Sequence, residues 1–199
     1  MKKLVIWTLI AVATISAISA GAHADSYSKT SDYKKPRSIM PGLLIGSGVP
    51  KGYGGMSLPE ESVMEFCEQG VTKAFYLYPG EKFSTRDKYN CGAGTIDYTG
   101  GAFRGDGTRE VLEAIYNAAN KGEKVLVHCW NGSHATGEII ALALKQFCGY
   151  SDSDAANYWK QNIHDKFQSK YESILKRIRN FETFSDLNFS SSQRAKFCP

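Results

Sequence analysis

The chain has 199 residues, with 24 Lys and Arg against 20 Asp and Glu, a formal net charge of +4. Its 42% hydrophobic and 22% charged composition is that of a chain with one substantial core. So mild a charge excess gives no reason to expect nucleic acid as a partner.

Residues 1–24 read as a secretory signal: Lys2 and Lys3, an apolar stretch from Leu4 to Ala20, then Ala22-His23-Ala24 as a small-residue cleavage site. Cleavage leaves 199 − 24 = 175 residues, suited to one domain, with 22 basic against 20 acidic side chains. No second apolar stretch is long enough to span a bilayer, so the expected location is periplasmic or secreted. Cys67, Cys91, Cys129, Cys148 and Cys198 all follow the cleavage site. In an oxidising compartment four of them pair in one of three ways and one is left over.

Residues 25–38 are polar and read as a flexible N-terminal arm, and residues 39–184 as the domain proper. A short strand is expected around Leu43 to Ile45, followed by a glycine-rich loop from Lys51 to Gly55. Ser57 with Glu60 suggests a capping box for a helix that carries Val63, Met64 and Cys67 on one face and ends at Gly70. Val71 to Tyr78 reads as a central strand. The segment 79–107 reads as mostly loop, with a strand through Thr95 to Tyr98. Thr108 is placed to cap a helix with Val111, Leu112, Ile115, Ala118 and Ala119 on one face, closed by Gly122.

Lys124 to His128 is a buried strand by its apolar run, and Ala135 to Phe147 a helix apolar on nearly every side. Ser151 with Asp154 opens a further helix through Trp159, and Phe167, Tyr171, Ile174, Leu175 and Ile178 recur at helical spacing. Residues 185–199 form a polar C-terminal tail that a bridge through Cys198 would tether. Strands alternating with helices predict an α/β three-layer sandwich with a mainly parallel central sheet, with ligands bound beyond the carboxyl ends of the strands. Cys and His do not cluster at ligand spacing and there is no dinucleotide glycine fingerprint, so neither a metal nor a cofactor is expected.

The chemistry concentrates between strand and helix. His128-Cys129-Trp130-Asn131-Gly132-Ser133-His134-Ala135-Thr136-Gly137 is a glycine-bearing turn running into a helix N-terminus, where unpaired amides and the helix dipole favour an anion. A cysteine opening such a turn is favoured as a nucleophilic thiolate.

This stretch resembles the signature loop of the cysteine-dependent protein tyrosine and dual-specificity phosphatase superfamily, His-Cys-x-x-Gly-x-x-Arg-Ser/Thr-Gly. Nine of the ten positions agree; Ala135 stands where the family has its arginine. The resemblance implies a dual-specificity-phosphatase-like fold, Cys129 as nucleophile toward phosphorus, and His128 as the partner that settles the thiolate. It implies that Thr136 gives its hydroxyl to the sulfur, and that the backbone from Trp130 through Asn131, Gly132, Ser133, His134 and Ala135 to Thr136 holds the phosphoryl oxygens. It also implies an aspartate general acid. The spacing of 129 − 97 = 32 residues favours Asp97, and the glycine-rich loop context favours Asp106.

Losing a bidentate guanidinium would cost on the order of three to five powers of ten in rate, since one transition-state donor is commonly worth a hundred- to a thousand-fold. His134, Arg104, Arg109 and Arg86 are the available substitutes. Glu138 is either a base near Cys129 or a first-turn acid that complements the helix dipole. Trp130 and Asn131 are large for the floor of a phosphate cradle and suggest a recut pocket. The Asn131-Gly132-Ser133 triplet is a chance match to a glycosylation acceptor.

The residues thus support an exported phosphatase-like hydrolase. A pseudophosphatase that binds a phosphorylated or otherwise anionic small molecule or protein is the alternative. A redox thiol ranks third, because there is no Cys-x-x-Cys.

Overall fold

Val125, Leu126 and Val127 have no solvent exposure, and their alternation lays out the molecule. The computed structural model describes residues 32–78, 86–101, 103–163 and 168–199. The signal sequence, most of the arm, residues 79–85, Phe167 and the side chain of Arg86 lie outside the described residues. Six strands form one sheet: β1 (Arg37–Met40), β2 (Leu44–Ser47), β3 (Val71–Tyr76), β4 (Arg86–Cys91), β5 (Gly94–Gly100) and β6 (Lys124–His128), in the spatial order β1-β2-β6-β3-β5-β4. The four inner strands run parallel, and the edge strands β1 and β4 are antiparallel to their neighbours.

Side chains alternate across a strand. Val125 and Val127 therefore join a cluster with Val111, Leu112 and Ile115 of helix α2 (Asp106–Lys121) and Ile139, Ile140 and Ala143 of helix α3 (His134–Cys148). Leu126 faces the other way, onto Val63, Phe66 and Cys67 of helix α1 (Glu60–Glu68). These are the two helical layers of the expected sandwich. A further cover, α4 (Asp152–Asn162) and α5 (Glu172–Arg179), packs Ala155, Trp159, Leu175 and Ile178 on Ala141 and Leu142, the outer face of α3. With the sheet on one side and these helices on the other, residues 135 to 147 of α3 are all buried. That is why the helix is apolar all round.

Several sequence expectations are corrected. Residues 86–100 are a hairpin, with Tyr89 opposite Ile96 and Cys91 opposite Gly94. The mostly polar edge strand β4 conceals the period that marks strands. Helix α1 has Pro59 at its N-cap with no side-chain cap bond, so Ser57 does not cap it. Helix α2 starts at Asp106 behind Gly105, which puts Thr108 inside its first turn. The Ser151–Asp154 capping box does form.

The end of the arm that is described, from Asp32, is a packed strap: Tyr33 is 3% exposed and packs at a tilt against the Phe66 ring, centroids 5.0 Å apart. Its backbone is sewn to the domain by Lys34 N–H to Val49 O at 3.0 Å and Gly48 N–H to Lys34 O at 2.6 Å.

Two disulfides are present, Cys67–Cys91 and Cys148–Cys198, and Cys129 is free. The first ties α1 to the hairpin. The second ties the end of α3 to the tail, where α6 (Ser191–Phe197) carries its own capping box of Ser190 and Gln193. Bridge and apolar contacts together order this segment: Leu187, Phe189 and Phe197 are buried, and Phe189 stacks on Phe147 at 4.3 Å.

Candidate active site

The parallel strands β2, β6 and β3 end together, because Ser47 and Tyr76 are both in register with His128. At that edge the chain leaves β6 and turns through residues 129–133 into α3. The bend is tight. Gly132 has φ +70°, and a β-carbon there would come within 2.6 Å of Gly48 N and 2.8 Å of Lys34 O. A β-carbon on Gly48 would in turn meet Gly132 N at 2.8 Å and Trp130 O at 2.8 Å. The signature turn is thus pressed against the end of β2 by two facing glycines, of which only Gly132 belongs to the recognised pattern. Arg37 braces it from the strap, donating from Nη1 to Gly132 O at 2.8 Å.

Cys129 opens the turn, is 1% exposed, and donates its Sγ–H to Asn131 Oδ1 at 3.6 Å. The same Oδ1 accepts Ser133 N–H at 3.0 Å.

His128 is wholly buried, with Nε2 at 2.6 Å from the Tyr98 hydroxyl. That hydroxyl also accepts Leu58 N–H at 2.8 Å, so one phenol links the imidazole to a buried backbone amide. Burial pushes the imidazole down to about 3. His128 is therefore a neutral imidazole packed between Tyr98 and Tyr76.

Thr136 is buried and donates to Ser47 O at 3.2 Å. Its hydroxyl proton is engaged there and not by the Cys129 sulfur, contrary to what the resemblance implies. Ala135 is buried in the α2–α3 cluster that also contains Cys129. Trp130 is not a cradle floor but a rim residue, 46% exposed, with Lys34 Nζ 3.7 Å from its ring centroid. His134 neither faces open solvent nor stands alone: its ring stacks on Tyr171 at 4.5 Å, its Nδ1 lies 3.5 Å from Asn131 Nδ2, and its carbonyl accepts from Trp159 Nε1 at 3.1 Å.

The two aspartates separate clearly. Asp97 is in register with Lys73, which is in register with Val125. That level is 129 − 125 = 4 residues short of Cys129, about 13 Å along a strand at about 3.3 Å per residue. Its carboxylate pairs with Lys88 at 3.6 Å and borders a cleft of about 450 Å³ with Lys73, Lys121 and Glu123. Asp106 begins α2 and follows the segment that crosses the carboxyl edge, where Gly101 N–H donates to Tyr76 O at 2.9 Å. Only Asp106 therefore shares the sheet end occupied by Cys129.

Among the cations, Arg109 is committed to Glu113 at 2.7 Å and to Asp186 at 2.5 Å. Arg104 is different: a non-glycine residue at φ +78°, its guanidinium lies 4.7 Å from the Phe103 ring, which packs edge-on against Tyr78 at 5.5 Å. The Tyr78 phenol is pushed up to about 12 by burial and by the nearby Cys129 sulfur, with Arg104 pulling the other way. Glu138 is 2% exposed and held by Arg177 in a two-pronged pair at 2.6 and 2.8 Å. With both carboxylate oxygens accepting from α5, it is a clamp between helices and not a base at the sulfur.

Sequence reasoning missed Tyr98, Tyr78, Ser47, Gly48, Lys34 and Arg37. Each is remote in the chain and reaches the turn only through strand order or the strap, so no local motif marks it. Among the described residues no group of three or more His, Cys, Asp or Glu could hold a metal ion.

No family model matches the chain, and no curated protein does so. Solved structures similar to it include Tk-PTP in its active form, at 16% identity and a TM-score of 0.49, covering 73% of this chain and 97% of that one. The core catalytic domain of the PP-IP phosphatase SIW14 from S. cerevisiae is similar at 16% identity and a TM-score of 0.47, covering 74% and 85%. PTPMT1, in a complex with PI(5)P, is similar at 16% identity and a TM-score of 0.49, covering 72% and 94%. These structural neighbours of the chain are protein tyrosine and dual-specificity phosphatases, the superfamily that its signature turn resembles.

Proposed function

We propose that the chain is an exported phosphatase-type hydrolase that uses Cys129 against a phosphoester. The observation that carries the reading is the lone free sulfur. Among five cysteines, four are bridged, and the fifth opens a curled, glycine-pinned turn at the carboxyl edge of a parallel sheet.

In the proposed cycle the Cys129 thiolate attacks phosphorus. An S–P bond forms, the P–O bond to the leaving group breaks, and the departing oxygen takes a proton from Asp106. Water then attacks the phosphocysteine, giving its proton to Asp106, and the S–P bond breaks to release inorganic phosphate and the thiolate. Turn amides stabilise the phosphoryl oxygens, and the neutral His128, set by Tyr98, orients the turn without adding charge. Arg104 is the proposed stand-in for the missing guanidinium; its seat over the Phe103 ring, which meets Tyr78 edge-on, supports that assignment. Phosphate release from an aryl phosphate, compared between the mature protein and Cys129→Ser, tests the reading. Equal release would end it.

The second reading is an anion-binding protein without turnover. It draws on two features of the site, the buried methyl of Ala135 and the engagement of the Thr136 hydroxyl by Ser47. It expects phosphate to raise the melting temperature while no phosphoester is consumed.

A periplasmic or extracellular location is supported by the two disulfides and by the leader-like residues 1–24. Among the described residues no helix is long and apolar enough to cross a membrane.

A further inference from the structure

The Asn131 carboxamide sits where a ligand oxygen belongs. Its Oδ1 accepts Ser133 N–H at 3.0 Å and lies 3.6 Å from Cys129 Sγ, which donates to it. A turn amide and the attacking sulfur are the two groups that a phosphoryl group in this turn would have to meet. The carboxamide orientation is set by its partners, because an amide N–H can bond only to the oxygen. Nδ2 is thereby turned to His134 Nδ1 at 3.5 Å, where it meets a ring acceptor.

We propose that Asn131 is the specificity-determining residue of the turn: its side-chain oxygen is the resident occupant of the anion cradle, and only a ligand oxygen carrying more charge displaces it. The inference rests on reading the turn as an anion site. A neutral amide oxygen is a weaker acceptor than an oxygen of a phosphate dianion, because charge-assisted hydrogen bonds are roughly twice as strong as neutral ones. A monoanion spreads one charge over its oxygens and gains less from the exchange. The turn should therefore admit phosphate monoesters, which are dianions, and reject phosphodiesters and sulfate esters, which are monoanions.

The exchange needs only side-chain rotation. The backbone is held by the Gly48–Gly132 contact and by Arg37, so an entering ligand finds the amides already aimed. Asn131 is half-buried and next to the exposed Trp130, so in this proposal its side chain swings toward that rim when the ligand enters.

Three measurements on the mature, disulfide-intact protein test this: calorimetric titration with inorganic phosphate, the same with nitrate as a monoanion, and the rate of Cys129 alkylation by iodoacetamide. Asn131→Ala is expected to bind phosphate about tenfold more tightly, because one competing hydrogen bond is gone, to begin binding nitrate, and to alkylate faster. Asn131→Ser keeps a short side chain that can still bond within the turn but withdraws the oxygen from the sulfur. It should move the same way and covers the case in which the alanine variant does not fold. Unchanged or weaker phosphate binding in a folded variant overturns the proposal and makes Asn131 a loop support. If wild type hydrolyses aryl phosphate while the variants bind no better, this inference alone falls. If wild type hydrolyses nothing while the variants bind better, the hydrolase reading falls and this one stands. If no protein binds phosphate, both fall.

Discussion

The Tyr98 hydroxyl and His128 Nε2 lie 2.6 Å apart in the interior of the sheet, and the hydroxyl simultaneously accepts the Leu58 amide. One phenol thus serves two buried polar partners and fixes the imidazole of the residue that precedes Cys129 in the chain. Tyr98→Phe is expected to leave both without it, at a cost of about 1–3 kcal/mol. Denaturant unfolding measures the stability loss, and a fall in turnover with little change in phosphate affinity would show that the pair positions the turn.

His128 also gives the protein a defined acid sensitivity. Its folded value is depressed to about 3 from 6.5 by burial, so the unfolded chain binds a proton that the native one refuses. The stability it contributes is complete above about pH 6.5 and is lost as pH falls toward 3, at up to about 1.4 kcal/mol per pH unit. Comparing unfolding free energies at pH 6 and pH 4 for wild type and His128→Asn isolates this share. A slope that is the same in both would contradict it.

The facing glycines leave no room for a side chain. Gly132→Ala places a β-carbon 2.6 Å from Gly48 N at a positive φ, and Gly48→Ala drives one into the turn backbone. Each is expected to cost on the order of 2–4 kcal/mol and to abolish phosphate-induced stabilisation. Thermal unfolding with and without phosphate checks both effects.

The arginines offer a controlled comparison. Arg104→Ala should lower turnover of an aryl phosphate by about a hundred-fold or more if it supplies the missing donor. Arg109→Ala removes a cation already engaged by Glu113 and Asp186 and should leave turnover unchanged. Equal effects of the two substitutions would remove Arg104 from the mechanism.

The Cys148–Cys198 bridge closes a separation of 50 residues. On loop entropy such a closure is worth roughly 4 kcal/mol, and it holds Phe189 and Phe197 on the core. Cys148→Ser with Cys198→Ser is expected to lower the melting temperature and to free the tail to proteolysis. The Cys67–Cys91 bridge, in contrast, holds the hairpin, so its removal should first expose β4.

Read alone, the amino-acid sequence determined the features that arise within one stretch of chain. The run from Lys124 to His128, the buried helix from Ala135 to Phe147 and the turn between them were legible there, because period and glycine placement are local properties; the count of five cysteines left one over, and the resemblance of the turn picked Cys129 as that one. The tertiary structure alone decided which distant residues reach that turn. Register set Asp97 about four residues short of Cys129, and the crossing into α2 left Asp106 at the carboxyl edge of the sheet. Strand order brought Tyr98 to His128 and Ser47 to Thr136, and the strap brought Arg37 and Lys34. Hydrogen-bond competition then decided what the hydroxyl of Thr136 and the carboxamide of Asn131 do, and such competition depends on distances between segments that are far apart in the chain.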